Sequence, residues 1–374
     1  MIFANAHIVD ENFNVRKCDI QVIEGKIAKI GENLSGDEIL NMSGKYILPG
    51  FIDTHFHGAC GVRVNKKTED ILKITNFEAT QGVTSVAITT SSTEFPELIL
   101  NMQAIANAIK TPIGAKIIGI HAEGPFLNIK KKGAMNPENI LTPDKEKLDA
   151  MIKSSKGLLK LITVAPDVDG AIDLIKYAKK CGVSVSLGHT DATYDIAKKA
   201  FLAGATQTTH TFNAMRTYDH REPGIIGAAL TDPEVVCEMI CDYVHLHPAT
   251  VNLIYRAKGA DNINMISDSE YAAGLKIEEF IADGQKVYLK DGVLRLEDGT
   301  ISGSAMTLLD GVKHLLRDGY PMGDVAKMAS LNPAKTMNSD KTLGSIKVGK
   351  CADFAVLDDD FELYATFIDG KRVF

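Results

Sequence analysis

Short apolar, β-branched runs alternate with helical periodicity along most of this 374-residue chain. That alternation limits its fold more than any other feature. The runs fall at 46–52, 82–88, 115–121, 158–164, 183–187, 205–209, 235–241 and 263–266, the first interrupted by Pro49-Gly50. Helical patterning follows over 68–80, 97–109, 142–154, 170–180, 194–202 and 248–257. At 142 the opening is Thr142-Pro143, a cap residue followed by proline at the first helical position. After 209 comes a long stretch rich in turn residues. A continuous apolar strand is buried on both faces, and strands linked by helices pair in parallel. Eight such units predict a (β/α)8 TIM-like barrel. An open doubly wound sheet is the alternative, but no Gly-rich fingerprint follows the first strand to support it.

The two ends of the chain read differently. Residues 1–47 are short alternating strands with a turn at Glu24-Gly25, and strands return after Gly344. We expect the termini, 1–47 plus 341–374, to form a small β-sandwich domain, with the barrel over 48–340 inserted between them. The stretch 275–301 breaks the barrel pattern. Within it, VYLKDGVLRLEDGTIS carries two Asp-Gly turns, Asp291-Gly292 and Asp298-Gly299, which predict a hairpin after the eighth strand, before helices near 306–316 and 324–330.

Composition narrows the function classes. A 45% hydrophobic, 24% charged chain of net charge -7 is an ordinary globular one with no footprint for nucleic acid or anionic membrane. A local basic pocket for an anionic substrate remains compatible with it. The six cysteines show no zinc-ribbon spacing. Cys237 and Cys241 share one face of an apolar run and read as reduced core residues, whereas Cys60, near a histidine pair, reads as packing or as support for that pair. The first residues lack a basic start and a long apolar stretch, and no apolar run approaches the length of a membrane span. The expectation is a reduced, cytoplasmic setting.

Active sites on such barrels lie at the carboxyl ends of the strands, and six of the ten histidines fall there. The first strand ends in His55-Phe56-His57. Alternation in an extended chain puts both imidazoles on one face. Later strands deliver His121 and Glu123, then His189, His210, His245 and Asp268. This nitrogen-and-carboxylate set suits zinc or another divalent first-row metal. Singly, each has a plainer reading: His121 as a core histidine bonded within the barrel, Glu123 as a loop charge, Asp268 as a cap. His7 reads as structural, His247 as the opening of a helix, and His220 and His314 as solvated.

Nine segments, in order, carry a resemblance: LPGFIDTHFHG, IHAEGPF, SLGHTDA, THTFNAM, REPG, ISDS, SGSAMT, SLNPA and GSIKVGKCADFAVLD. Together they resemble the N-acetylglucosamine-6-phosphate deacetylase family of the amidohydrolase superfamily, over nearly the whole chain. The resemblance implies hydrolysis of the N-acetyl group of N-acetylglucosamine 6-phosphate to glucosamine 6-phosphate and acetate. It implies a divalent metal held by Glu123, His189 and His210, and room for a second ion at His55, His57 and Asp268. Zinc is the first choice, with iron, manganese or cobalt as alternatives. Asp268 would be the catalytic acid/base. Substrate contacts would come from Ala134, Met135, Asn213, Ala214, His245, Ile301, Ser302 and Gly303. Arg221 would reach the phosphate in the neighbouring subunit of a homodimer; its plainer reading is a surface salt bridge. Strand four ends in Val164-Ala165-Pro166-Asp167 without a lysine, unlike hydantoinase-like relatives whose metals share a carboxylated lysine.

Two positions depart from the family pattern. Met135 stands where some relatives have a substrate-contacting histidine. Tyr243 stands where many have a glycine, and its bulk is expected to reshape the pocket wall. Competing readings are deacetylation of N-acetylgalactosamine 6-phosphate, a nucleobase or cyclic-amide hydrolase, and a non-catalytic scaffold.

Overall fold

A computed structural model describes residues 1–275, 278–282, 285–290 and 292–374. Eight parallel strands build the central barrel: β1 (Phe51–Asp53), β2 (Val83–Thr90), β3 (Lys116–Glu123), β4 (Leu159–Val164), β5 (Ser184–Leu187), β6 (Gln207–Thr208), β7 (Val236–Ile240) and β8 (Ile263–Ile266). The ladder runs unbroken from β1 to β8. At the seam the chain closes just past the strand ends, where Asp268 N donates to His55 O (3.0 Å) and His57 N donates to Ser269 O (2.7 Å). A helix follows every strand: α1 (Thr68–Ala79), α2 (Phe95–Ala108), α3 (Lys145–Ser154), α4 (Ala171–Lys180), α5 (Tyr194–Ala203), α6 (Gly224–Thr231), α7 (Pro248–Lys258) and α8 (Leu308–Arg317). Among the described residues no helix is long and apolar enough to cross a membrane.

Alternation along the strands sorts side chains between two environments. Ile120 and Ala122 of β3, and Cys237 and Met239 of β7, pack into the large core beneath the helices. The intervening His121, Glu123 and Glu238 point to the barrel axis, as their hydrogen bonds to other strands show. The barrel floor is plugged by the chain after α8, where Met337 packs on Ala87 and Leu161. Asn332 Nδ2 donates to Ala260 O and Ile263 O there, at 2.6 and 2.7 Å.

Several local expectations need correction. The run 46–52 is two strands in two sheets. Tyr46–Pro49 pairs with Phe354–Leu357 and with Ile2–Val9 in the terminal sheet, and only Phe51–Asp53 enters the barrel. Gly50 marks the crossing because a Cβ there would stand 2.2 Å from Thr84 Oγ1. Helix α3 starts three residues later than Thr142, because the Asp144 carboxylate accepts from both Glu146 N and Lys147 N and makes the better cap. The turn-rich stretch after β6 contains α6. The insertion is a four-stranded antiparallel sheet (Glu279–Ala282, Gln285–Lys290, Val293–Leu296, Ile301–Ser304). Its Asp298-Gly299 turn is present, with Gly299 N donating to Leu296 O. The Asp291-Gly292 turn lies outside the described residues.

Strands from both termini share one sheet. That sheet curls over its own core, since Phe3 meets Phe354 and Phe367 edge-on at ring distances of 5.3 and 4.8 Å. Lys116, at the start of β3, ties it to the barrel. Its ammonium stands 2.9 Å from Asp353 and 2.7 Å from Asp369. Replacing Lys116 by methionine would leave the buried Asp353 without its counter-charge. With a discount for the lysine's partial exposure, Lys116→Met should cost about 1–3 kcal/mol of unfolding free energy in a denaturant titration. An unchanged midpoint would show that the bridge does not hold the two units together.

Candidate metal centre

Six side chains converge at the mouth of the barrel. Glu123 Oε1 lies 3.0 Å from both His189 Nε2 and His210 Nε2, and those two nitrogens stand 3.1 Å apart. The other oxygen, Oε2, lies 3.0 Å from His57 Nε2. Asp268 Oδ1 is 3.4 Å from His57 Nε2 and 3.5 Å from His55 Nε2. One carboxylate thus stands between two donor groups, Glu123/His189/His210 and His55/His57/Asp268, each with ligand atoms within 4.8 Å of one another. All six residues are less than a tenth exposed.

The local backbone is bent to reach this arrangement. His189, His210 and Asp268 each leave their strand in the left-handed region, with φ of 48°, 32° and 49°. Such residues cost about 1–3 kcal/mol each and persist only where surrounding structure fixes them. A second layer does so here. His55 Nδ1 donates to Glu238 Oε2 (2.9 Å), which also accepts from His210 N, while Gln207 Nε2 bonds Glu238 Oε1. His189 Nδ1 donates to Lys131 O (2.8 Å), and His57 Nδ1 meets Ser91 Oγ (2.9 Å). The Nε2 atoms of His55, His57 and His189 are thereby turned inward, the orientation that a partner on the far nitrogen imposes on metal-binding histidines, whereas His210 is held through its backbone N on Glu238.

His121 does not join the group. Its Nδ1 donates to Thr54 O and its Nε2 accepts from Thr163 Oγ1. Burial, then the charge of His55, push its pKa well down, so it is a neutral brace beneath the centre.

The donor set fits a divalent cation. His55 Nε2 is buried without a hydrogen-bond partner among the described residues while facing two carboxylates. Imidazole nitrogens bound tetrahedrally to zinc at about 2.0–2.1 Å lie roughly 3.3 Å apart, close to the separation of His189 and His210. Protons otherwise take the place of the cation. Burial alone would lower the His57 pKa, but the hydrogen bonds its ring donates to Asp268 and Glu123 outweigh it and lift it to about 9. Burial likewise opposes ionisation of Glu123, yet the His55 charge and the bonds from His189 and His210 hold it well below the usual range.

Around the centre opens a cavity of about 820 Å³. Ala134, Met135, Asn213, Ala214, His245, Ile301, Ser302 and Gly303 all line it. Arg221 does not; it sits on an exposed turn, its N donating to Asp219 Oδ1. Tyr243 corrects an expectation. It turns away from the cavity, stacks on His314 at 4.7 Å and donates to Asp318 Oδ2. His314 is accordingly half-buried rather than solvated, and its Nδ1 donates to Cys241 O. His247 caps α7 as expected. Sequence reasoning did not single out Glu238, although a carboxylate within an apolar buried strand was the available signal. Nor did it assign Asp242, whose Oδ2 accepts from His245 Nδ1 at 2.6 Å.

A parallel barrel with this donor set at its carboxyl end defines an amidohydrolase, and residues 46–373 match the model of the amidohydrolase family. The chain is 33% identical to the N-acetylglucosamine-6-phosphate deacetylase of Bacillus subtilis (strain 168), over 100% of this chain and 97% of that one. It is 34% identical to an N-acetylgalactosamine-6-phosphate deacetylase of Escherichia coli O157:H7, over 87% of each. A solved alanine variant of the Mycobacterium smegmatis deacetylase, in complex with N-acetyl-D-glucosamine-6-phosphate, superposes with a TM-score of 0.92 at 27% identity, covering 100% of this chain and 99% of that one. Within the amidohydrolases, the chain belongs to the N-acetylglucosamine-6-phosphate deacetylase family.

The titration of His57 gives a pH test. Its folded pKa of about 9 exceeds the ordinary 6.5. Its contribution to stability is therefore complete below about 6.5 and disappears as pH climbs through about 9. A cation must displace the same proton, so binding tightens over that interval. Chelator-dialysed protein should lose unfolding free energy between pH 6.5 and 9 while its affinity for zinc rises. An affinity that is flat or falls with pH would contradict this assignment.

Proposed function

We propose that this chain hydrolyses the acetamide of N-acetylglucosamine 6-phosphate, releasing acetate and glucosamine 6-phosphate. The observation that carries the reading is the placement of Glu123, between His189/His210 and His55/His57/Asp268, at the foot of one cavity. Glu123, His189 and His210 would hold one divalent cation; His55, His57 and Asp268 would hold a second, with Glu123 between them. Zinc suits this mixed nitrogen and oxygen set. When bound, the cation supplies Lewis acidity toward the amide carbonyl and lowers the pKa of water.

The chain's own groups do the rest. Without a cation, burial opposes the charge on Asp268, but His55 and His57 hold its carboxyl below the usual range. It takes a proton from the attacking water and delivers it to the departing amine at C2. His245 is raised above the ordinary imidazole value because the bond and charge of Asp242 outweigh its burial. With Nδ1 committed to Asp242, its Nε2 is left to donate to the sugar phosphate. Ala134, Met135, Asn213, Ala214, Ile301, Ser302 and Gly303 would form the remaining walls around the sugar. Arg221, outside its own chain's cavity, would reach the phosphate of the neighbouring site in a homodimer, where a guanidinium can bond two phosphate oxygens at once. A cytoplasmic setting matches a phosphorylated substrate and six free cysteines.

N-acetylgalactosamine 6-phosphate is the second reading, favoured by the similarity to the E. coli O157:H7 deacetylase. One experiment addresses the whole proposal: acetate release from both N-acetylhexosamines, each with and without the 6-phosphate, in zinc-supplemented buffer. The glucosamine 6-phosphate precursor should have the highest kcat/KM. Asp268→Asn should lower kcat by roughly 10²–10⁴-fold while keeping metal, and Arg221→Ala should raise KM mainly for the phosphorylated sugars. Equal turnover of phosphorylated and plain sugars by the unaltered enzyme would overturn the substrate assignment.

A further inference from the structure

One ion pair in the cavity is not used by the chemistry above. Arg63 follows the first histidine pair, on the short strand Val62–Arg63. Its Nη2 donates to Glu270 Oε1 at 2.8 Å. Glu270 stands two residues beyond Asp268, and both Arg63 and Glu270 line the cavity. The carboxylate side chain is only 8% exposed. Its second oxygen, Oε2, is buried and has no hydrogen-bond partner among the described residues, and neither has the neighbouring Tyr271 hydroxyl. Leaving a buried carboxylate oxygen unpaired is costly. A group that arrives with the ligand would remove that cost.

The backbone holds Glu270 firmly. Its N donates to Ser304 O (2.8 Å), and Ser304 N donates to Asp268 O (2.9 Å). Gly303 lies so close that a Cβ there would stand 2.6 Å from Glu270 Cγ. Arg63 fixes one oxygen from the other side. Glu270 is thus an oriented acceptor next to the acid/base, with one oxygen anchored and one free. An acceptor of this kind recognises a donor such as a hydroxyl, and its negative charge disfavours a phosphate. The amide-bearing carbon of the substrate must lie at Asp268. Two residues of chain span at most about 7 Å, so a hydroxyl flanking that carbon is the group within reach.

We propose that Glu270, oriented by Arg63, reads a ring hydroxyl next to the acetamido carbon of the sugar, with its Oε2 accepting the hydrogen bond. The Tyr271 hydroxyl is a second donor and acceptor at the same edge. This inference rests on the function proposed above and adds a specificity-determining residue to it. The alternative is a purely structural staple between the loop after β1 and the loop after β8.

The test compares kcat/KM for the unaltered enzyme and Glu270→Gln on N-acetylglucosamine 6-phosphate and on its 1-deoxy and 3-deoxy counterparts. Glu270→Gln should lower kcat/KM on the parent sugar roughly ten- to a hundredfold, the range for a hydrogen bond to a charged group. The loss should shrink to under about threefold on the one analogue that lacks the hydroxyl being read. Arg63→Met should show the same dependence on analogue at smaller size, and it carries the test if Glu270→Gln does not fold or does not keep its metal. An equal loss on all three sugars, or no loss on any, overturns the inference in favour of the staple. An unaltered enzyme with no activity on the parent sugar overturns the functional reading, and this inference with it.

Discussion

Glu123 faces four buried imidazoles at the bottom of a cavity, and the architecture around it is arranged to make that possible. Two of those imidazoles come from β1, one from β5 and one from β6, while Asp268 follows β8. A cluster of this kind is costly without a cation or bound protons, because buried donors and acceptors lose their hydration. The upward shift of His57 and the downward shift of Glu123 are the two sides of that balance. The barrel seam lies at the same place. The bonds that close β8 onto β1, Asp268 N to His55 O and His57 N to Ser269 O, are made by the residues of the centre and their immediate neighbour. Fold closure and site assembly are therefore one event at this end of the barrel.

Below the centre lies a layer of small polar side chains. His121 bonds Thr163, Thr163 bonds Thr209, and Thr209 bonds Ser186. Each group is satisfied by its neighbour, so the layer fixes the strands without drawing on the ligand nitrogens above. Glu238 extends this support sideways to His55 and His210. The strained backbone at His189, His210 and Asp268 is supported from both directions, as expected where positioning matters more than local relaxation.

The barrel was legible because its strands are buried on both faces and read as unbroken apolar runs. The histidines were legible because they recur just past those runs. What was hidden has a physical reason in each case. Helix α6, GIIGAALT, carries two glycines and is buried on almost every side, so it lacks the polar stripe that reveals a surface helix. The division of 46–52 between two sheets depends on how closely Thr84 approaches Gly50, a tertiary contact. Tyr243 sits in the left-handed region at φ 64°, so its ring leaves the pocket wall for α8; side-chain volume alone does not give that direction. Glu238 and Glu270 gain their roles from partners 183 and 207 residues away in the chain, His55 and Arg63.

The central claim is that side chains from distant parts of the chain grip one cation beside an aspartate. Anomalous diffraction at the zinc edge, from crystals of the zinc-supplemented protein, addresses it most directly. A peak is expected about 2.0–2.2 Å from a Glu123 oxygen and from the Nε2 atoms of His189 and His210. A map with no peak there, or with zinc bound only elsewhere on the molecule, would contradict it.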